Sequence, residues 1–478
     1  MKRQSIWKLA FVFTLALTLI LSGCSGGSGK ESAEPSQSSQ PSQTGDAPSE
    51  LKVLYATVEA GSEAIIDAAQ KYEANTGIKI DVDTFPYNNL QEKAFSELAQ
   101  KSDYYDLIVI DTPWMPKIIQ HLEPLSSYIQ NSKNPDAIKL DDFIAKAFLD
   151  TSVFKLDAPH ENPPQMDTID LDKITSAGFD VWSLPIQSNV LTVSYRKDLF
   201  NDPANQEQFK QQYNRELTIP QTLDEYLEVA KFFTRDGMYG TTLMGKKHEA
   251  NFVDFKSFLS NFGGSIFDEN MKPVFNDAKG VQALETYGSW INEEKVTPPG
   301  VLTYTWDEVA TVFSSGQVAM GMNYHDMKLD PKVNGEAGYF MFPGVKSGDE
   351  IVRGPHFGSW GLGISKYSKN KQAAYELAEY LTSPDVQKDY LNFNQHVTRI
   401  SAYEAAESLS DSLLKEYYQV LGESLKVGVG RPRITNYDQV SEAVQIGVND
   451  YLSNKKDAQT ALNEAAAKVE SLMQQAGY

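Results

Sequence analysis

The sequence is nearly devoid of sulfur chemistry, with one cysteine, Cys24, among 478 residues. A single thiol excludes a disulfide framework and a cysteine-based zinc cluster. Histidine is scarce too: the six present are scattered, with no His-Glu-x-x-His spacing, and no Gly-x-Ser-x-Gly elbow appears. No metal and no cofactor are therefore expected. Gly240–Lys247 has the glycine and lysine spacing of a phosphate loop but lacks the following Ser or Thr that would hold magnesium. Positive charge is in deficit, 43 basic against 64 acidic residues for a formal charge of −21. Such a chain repels phosphate backbones and anionic membrane surfaces, so no nucleic acid is expected as a partner. Long apolar runs are also missing. The uncharged stretch Leu9–Leu21 is too short to cross a bilayer comfortably.

What is present begins at the N-terminus. Lys2, Arg3 and Lys8 flank that short apolar stretch, and Leu21-Ser22-Gly23 precede the cysteine. This order reads as an export signal over 1–23, and the last four residues look like a bacterial lipobox. The lone cysteine would then be the acylated first residue of the mature chain, an anchor by lipid only. Fifteen of the 26 residues of Ser25–Glu50 are Ser, Gly or Pro, so 24–50 reads as a flexible tether. The expected location is the outer face of a cell membrane, in a Gram-positive bacterium, and a monomer is expected.

The folded body starts at Leu51. Leu51–Ala56 predicts a strand, Ser62–Asn75 a helix stopped by Gly77, Ile78–Phe85 a half-buried strand, and Leu90–Lys101 a helix. Leu107–Ile110 is continuously apolar, as in a central parallel strand. This alternation predicts a doubly wound α/β lobe, whose ligands sit beyond the carboxyl ends of the strands. That places Thr57–Glu59 and Asp111–Trp114 at the crevice. Further along, Thr222–Glu225 is a capping box opening a helix through Phe233, Ser383-Pro384 starts another helix, and Asp457–Gln475 a last one.

Lys71–Ile78, Tyr105–Val109, Leu184–Ile186, Tyr195–Phe200, Pro220–Glu225, Phe262–Asp268, Phe313–Met320 and Gly358–Ser365 follow one another along the chain. In that shared order these segments resemble the family 1 extracellular solute-binding proteins, the maltose-binding-like group. The resemblance implies the type II periplasmic-binding-protein fold, with two discontinuous α/β lobes closing by a hinge on a ligand. Pro185–Tyr195 and His356–Ile364 are the implied crossings. The first lobe is expected at 51–186 plus 360–400, and the second at 187–359 plus 401–478. The implied activity is substrate capture for the permease of an ABC importer, the substrate being a carbohydrate: oligosaccharide, glycoside or polyol.

Sugars present hydroxyl rims and apolar ring faces, so their sites combine aromatic platforms with forked polar side chains. Position by position, the resemblance implies Glu59, Asp111 and Trp114 after the first and third strands, and Gln187 and Asn189 in the first crossing. It also implies Tyr324 and His325 in the second lobe, Trp360 at the second crossing, and Arg399 in a ligand-facing loop. From residue type alone, Asp111 reads equally as a turn residue, Trp114 as core, the Tyr324-His325 pair as a turn, and Arg399 as an ion pair. The maltose-binding pattern has a carboxylate where this chain offers Gln187 and Asn189. Two other readings stay open: a secreted glycoside hydrolase, which needs only two carboxylates across a cleft, and a sensor feeding a membrane kinase. The main reading is non-enzymatic.

Overall fold

Strand β1 (Glu50–Ala56), helix α1 (Ser62–Thr76), β2 (Lys79–Phe85), α2 (Tyr87–Ala99) and β3 (Leu107–Asp111) follow one another much as the periodicity predicts. The computed structural model describes residues 48–57 and 61–478; the export segment, Cys24, the tether to residue 47, and Glu59 lie outside the described residues. α1 buries Ile65, Ala68, Ala69 and Tyr72 along one stripe and stops where Gly77 takes a φ of 74°. That left-handed cap strains any residue with a Cβ. α2 starts at Tyr87, three residues before Leu90, because Pro86 sets the entry while the first turn, Tyr87-Asn88-Asn89, carries no apolar stripe of its own.

After α3 (Ala145–Ser152), β4 (Leu184–Val190) runs through a single residue, Leu191, into β5 (Thr192–Arg196). The chain then builds α4 (Leu223–Phe233), α5 (Glu249–Asn261), α6 (Trp306–Ser314), β6 (Met320–Asn323) and β7 (Ala337–Met341) before β8 (Phe357–Ile364). α4 opens on the expected capping box, with Thr222 and Glu225 reciprocally bonded. The first sheet has the order β2-β1-β3-β8-β4, and the second β6-β5-β7. β1 is parallel to β2 and β3, while β8 runs antiparallel to both of its neighbours. A chain bearing helices α7 (Ser412–Val427), α8 (Tyr437–Leu452) and α9 (Ala458–Ala476) completes the body.

Two hydrophobic clusters form, one around each sheet. The first cluster gives way to the second at Leu191 and, Tyr339 apart, resumes at Phe357. The third passage differs from the expectation that everything after 400 joins the second lobe. Ala402, Leu414, Tyr417, Leu421 and Leu425 pack into the first cluster, and the second regains the chain only at Ile434. The physical reason is the apolar stripe of α7, which buries Leu414, Tyr417, Tyr418 and Leu421. The passage between lobes is therefore the irregular stretch 428–433.

Candidate functional site

The three passages lie against one another. Leu191 donates its N–H to the His356 carbonyl at 3.0 Å, Val429 to the Pro355 carbonyl at 2.8 Å, and Phe357 to the Val429 carbonyl at 3.1 Å. Beside this strap, residues of both clusters line a partly open cavity of about 60 Å³.

The first lobe contributes an aromatic corner. β3 ends at Asp111, and β8 sets Trp360 opposite it in register. Gly358, two residues earlier, lies so close to the Asn189 side chain that a Cβ would fall 2.6 Å from Oδ1, so a larger residue there would displace the Asn189 amide. Tyr87 opens α2, and its hydroxyl donates to Asp111 Oδ2 at 2.7 Å. The Trp360 ring meets Trp114 at 5.5 Å and 80°, and Tyr87 at 5.8 Å and 84°. These are the edge-to-face arrangements that ring quadrupoles favour. From the second lobe Trp306, the first residue of α6 behind the Thr305/Glu308 capping box, comes within 5.9 Å of Tyr87.

Charge joins the two halves. Arg431, on the third passage, donates to Asp111 Oδ1 from the first lobe and to Glu249 Oε1 at 3.3 Å from the second. Tyr437 and Ser441 also donate to Glu249, the latter at 2.6 Å. Burial pushes the Glu249 carboxyl up, against the pull of Arg431. Burial works against the Arg431 charge, yet Asp111 and the neighbouring groups hold its pKa well above the usual range. A desolvated cation answered from both lobes couples charge pairing to closure. His356 sits beside it, its Nδ1 2.9 Å from the Tyr324 hydroxyl and its buried Nε2 without a partner among the described residues. Burial keeps His356 and His325 below the ordinary histidine range.

Of the residues expected at the site, Asp111, Asn189, Tyr324, His325 and Trp360 all line this cavity. Trp114 stands one layer behind, 1% exposed, supporting Trp360 and Tyr87. Gln187 is buried beside the strap, its amide nitrogen 3.2 Å from His396 Nδ1, and does not line the cavity. Arg399 departs from the expectation altogether. It is fully buried in the first lobe, donates to the carbonyls of Thr382, Ile138, Lys139 and Ala137, and stacks on Phe143. Four of its five N–H donors are held by backbone carbonyls, and its burial keeps the guanidinium away from the cavity. Glu59 lies outside the described residues.

The sequence reading missed Tyr87, Glu249, Trp306, His356 and Arg431. Signals existed for two of them. Trp306 follows a Thr-x-x-Glu capping box, and Arg431 sits in Gly428-Val-Gly-Arg-Pro-Arg433, a glycine- and proline-punctuated break between two helices. Asp111 and Glu249 are the facing carboxylates a hydrolase would need, but each already holds a bond to Arg431. Among the described residues no cluster of three or more His, Cys, Asp or Glu could hold a metal, and no helix is long and apolar enough to cross a membrane.

Known proteins agree with this architecture. Maltose-bound T. maritima MalE3 superposes with a TM-score of 0.71 at 23% identity, covering 88% of this chain and 99% of its own. A solute-binding protein of an ABC transporter from Agrobacterium radiobacter K84, in complex with ribitol, gives 0.71 at 22%, covering 89% and 99%. At these identities the likeness shows the fold, the type II periplasmic-binding-protein fold. In sequence, a probable amino-acid ABC transporter periplasmic-binding protein of Sinorhizobium fredii is 22% identical over 434 residues, 88% of this chain and 89% of its own length. A probable ABC transporter-binding protein of Deinococcus radiodurans is 25% identical over 382 residues, 77% and 79%. Residues 55–388, well over half of the chain, match the bacterial extracellular solute-binding protein family, and the chain belongs to that family.

Proposed function

We propose that this chain captures a carbohydrate outside the cell and hands it to the permease of an ABC importer, tethered to the membrane by an acyl group on Cys24. The observation that carries the reading is the cavity itself. A corner of Tyr87 and Trp360, faced by Trp306, provides ring platforms, while Asp111, Glu249, Arg431 and Asn189 provide forked acceptors and donors for hydroxyls. His356 Nε2 adds a buried polar atom in need of a partner.

The mechanism is closure. At about 60 Å³ the cavity has room for roughly four or five waters, less than a sugar ring needs, so a ring enters only when the lobes part. Parting breaks the Arg431 contacts to one lobe, hydrates Asp111 and Glu249, and opens the aromatic corner. Reclosure over the ligand desolvates the polar contacts and strengthens them. Cargo release then requires the permease to pay the cost of reopening.

Titration calorimetry of the mature protein with a panel of saccharides, polyols and amino acids tests the ligand class. Stoichiometric sugar binding without product release is expected. Release of a shortened product would favour the hydrolase reading, and binding of an amino acid alone would sink the carbohydrate reading while leaving solute binding intact. The bound protein should also show a smaller radius of gyration in solution scattering. For the anchor, Cys24→Ala should leave the protein unprocessed or shed into the medium; a variant still membrane-bound after processing would contradict acylation.

A further inference from the structure

A second cavity, of about 330 Å³, shares Arg431 with the aromatic one. Its walls come from the first lobe at Asp150 and Asn162, from α5 of the second lobe at Lys256 and Ser260, and from the third passage at Arg431 and Arg433. We propose that this cavity binds a free oxyanion of sulfate or phosphate size, separate from the captured solute, and that the ion favours the closed state by joining the lobes.

The first observation is a surplus of buried positive charge. Lys256 and Arg433 are 4% and 7% exposed, yet among the described residues neither has a carboxylate within ion-pair distance. Lys256 donates to the Val429 carbonyl at 2.8 Å, which leaves two ammonium hydrogens uncommitted. Arg433 donates through its terminal nitrogens to the carbonyls of Leu149, Asp150 and Val153, and its Nε is buried without a partner. Lys146, on α3, is likewise met by a carbonyl, that of Gly428. Asp111 and Glu249 are both bonded to Arg431, so Asp150 is the carboxylate left to answer the other three cations. Desolvated cations without counter-charge are costly, and an anion among them offsets that cost. The surplus is local, because a chain of formal charge −21 gathers no anions by its general field.

The second observation is the state of Asp150, which does not bar an anion. Arg433, Arg431, Lys146 and Lys256 all act to keep it charged, but burial pushes its carboxyl up against them. Its buried Oδ2 accepts no hydrogen bond. A protonated Asp150 would offer that ion one more donor.

The third is placement. Arg433 is fixed to the first lobe by its three carbonyls and by stacking on Phe154. Lys256 rides on α5, whose Phe252, Val253 and Phe255 pack in the second lobe's cluster. An ion held by both side chains binds best when the lobes are together, and so shifts the population toward that state. By reciprocity the ion and the solute then strengthen each other's binding.

The test is calorimetry of the purified protein with sodium sulfate, at ionic strength held constant with sodium chloride. Saturable one-to-one binding is expected, with a Kd of about 1 mM or below. Lys256→Met keeps the bulk and removes the charge, and should weaken sulfate binding about tenfold or more. Asp150→Asn removes the opposing charge and should strengthen it about threefold or more. These opposite signs keep the test decisive if one variant fails to fold. A pH series adds a further arm. Lys256 faces Arg431, Asp150, Lys146 and Arg433, with His160 on the cavity wall, and burial together with Arg431 holds it down to about 7. Lowering the pH from about 8 to about 6 protonates it while sulfate stays dianionic, so the parent should bind more tightly and Lys256→Met should respond less. In solution scattering, saturating sulfate should shrink the solute-free parent and leave Lys256→Met unchanged.

No saturable heat from sulfate or phosphate would overturn the site. Binding indifferent to both variants would place the ion elsewhere and overturn it equally. Glucuronate binding that needs Lys256, without any sulfate or phosphate binding, would assign the anion to the solute itself and end the free-ion reading. Lys256-dependent sulfate binding with no change in scattering would overturn the coupling to closure. No neutral saccharide enters the test, so its failure leaves the carbohydrate reading untouched.

Discussion

Two buried arginines, Arg399 and Arg431, occupy opposite roles in this molecule. Arg399 is 0% exposed and Arg431 9%. Burial alone does not tell them apart; the partners do. Arg399 gives its hydrogens to backbone carbonyls of one lobe, so its contacts persist whether the lobes are open or closed. Arg431 gives its own to carboxylates from both lobes, so parting the lobes would break its contacts to one of them. The one is a staple of the fold, and the other a reporter of closure.

That contrast is broken most forcefully by removing the staple. Arg399→Ala leaves several buried carbonyls without donors and should cost about 3–5 kcal/mol of stability. The measurement is urea unfolding, with sugar affinity of the folded protein unchanged. An affinity collapse in a stable Arg399→Ala protein would return this residue to the ligand site. Arg431→Ala should do the reverse: affinity falling about tenfold to a hundredfold, or about 1.4–2.8 kcal/mol. Its ligand-free scattering should report a larger radius of gyration. A variant as closed and as tight-binding as the parent would disprove the coupling.

The tryptophans sharpen the same distinction at smaller scale. Trp360 lines the cavity and Trp114 stands behind it. Trp360→Ala should weaken sugar binding by about 1–2 kcal/mol and quench the ligand-induced fluorescence change. Trp114→Ala should act chiefly by lowering the melting temperature of the unliganded protein, as an enlarged core cavity does. Matching effects of the two substitutions on both quantities would merge the two layers into one.

The smallest effect is a pH dependence at the strap. Burial pushes His396 down to about 3 and holds His325 and His356 low as well. A depressed histidine pKa stabilises the folded state fully above the unfolded value near 6.5, and that stabilisation is lost as pH falls below it. At pH 5.5 His396 alone should withdraw about 1.4 kcal/mol. Unfolding followed from pH 7.5 to 5.0 should show a shallower acid loss in His396→Gln. Parallel curves would mean that His396 protonates without penalty.

What was legible in the sequence tracks how local each signal is. β1 to β3 were readable because Val53, Ile80 and the run Leu107–Ile110 carry strand patterns, and because Gly77 and Thr222–Glu225 mark helix ends by their own chemistry. Asp111 and Trp360 were reachable because a strand terminus and a break in a glycine run are local features. Arg431 was not, because its meaning depends on two carboxylates 320 and 182 residues away in sequence. Arg399 misled for the complementary reason: nothing near it in sequence shows the carbonyls of Ala137–Lys139 waiting for a donor. The third passage was hidden by α7, whose helical stripe reads the same whichever lobe it packs on.

The sheet order β2-β1-β3-β8-β4 has a consequence for the order in which the chain can fold. β3 and β4 are not neighbours; β8 separates them, and it arrives only at Phe357–Ile364. The second sheet has all its strands by Met341. A chain synthesised from its N-terminus therefore cannot complete the first-lobe sheet until three quarters of it has been made, since the missing strand is the one that bridges the rest. Such non-local closure is slow. The lobe whose sequence begins first is therefore the later of the two to have its sheet complete.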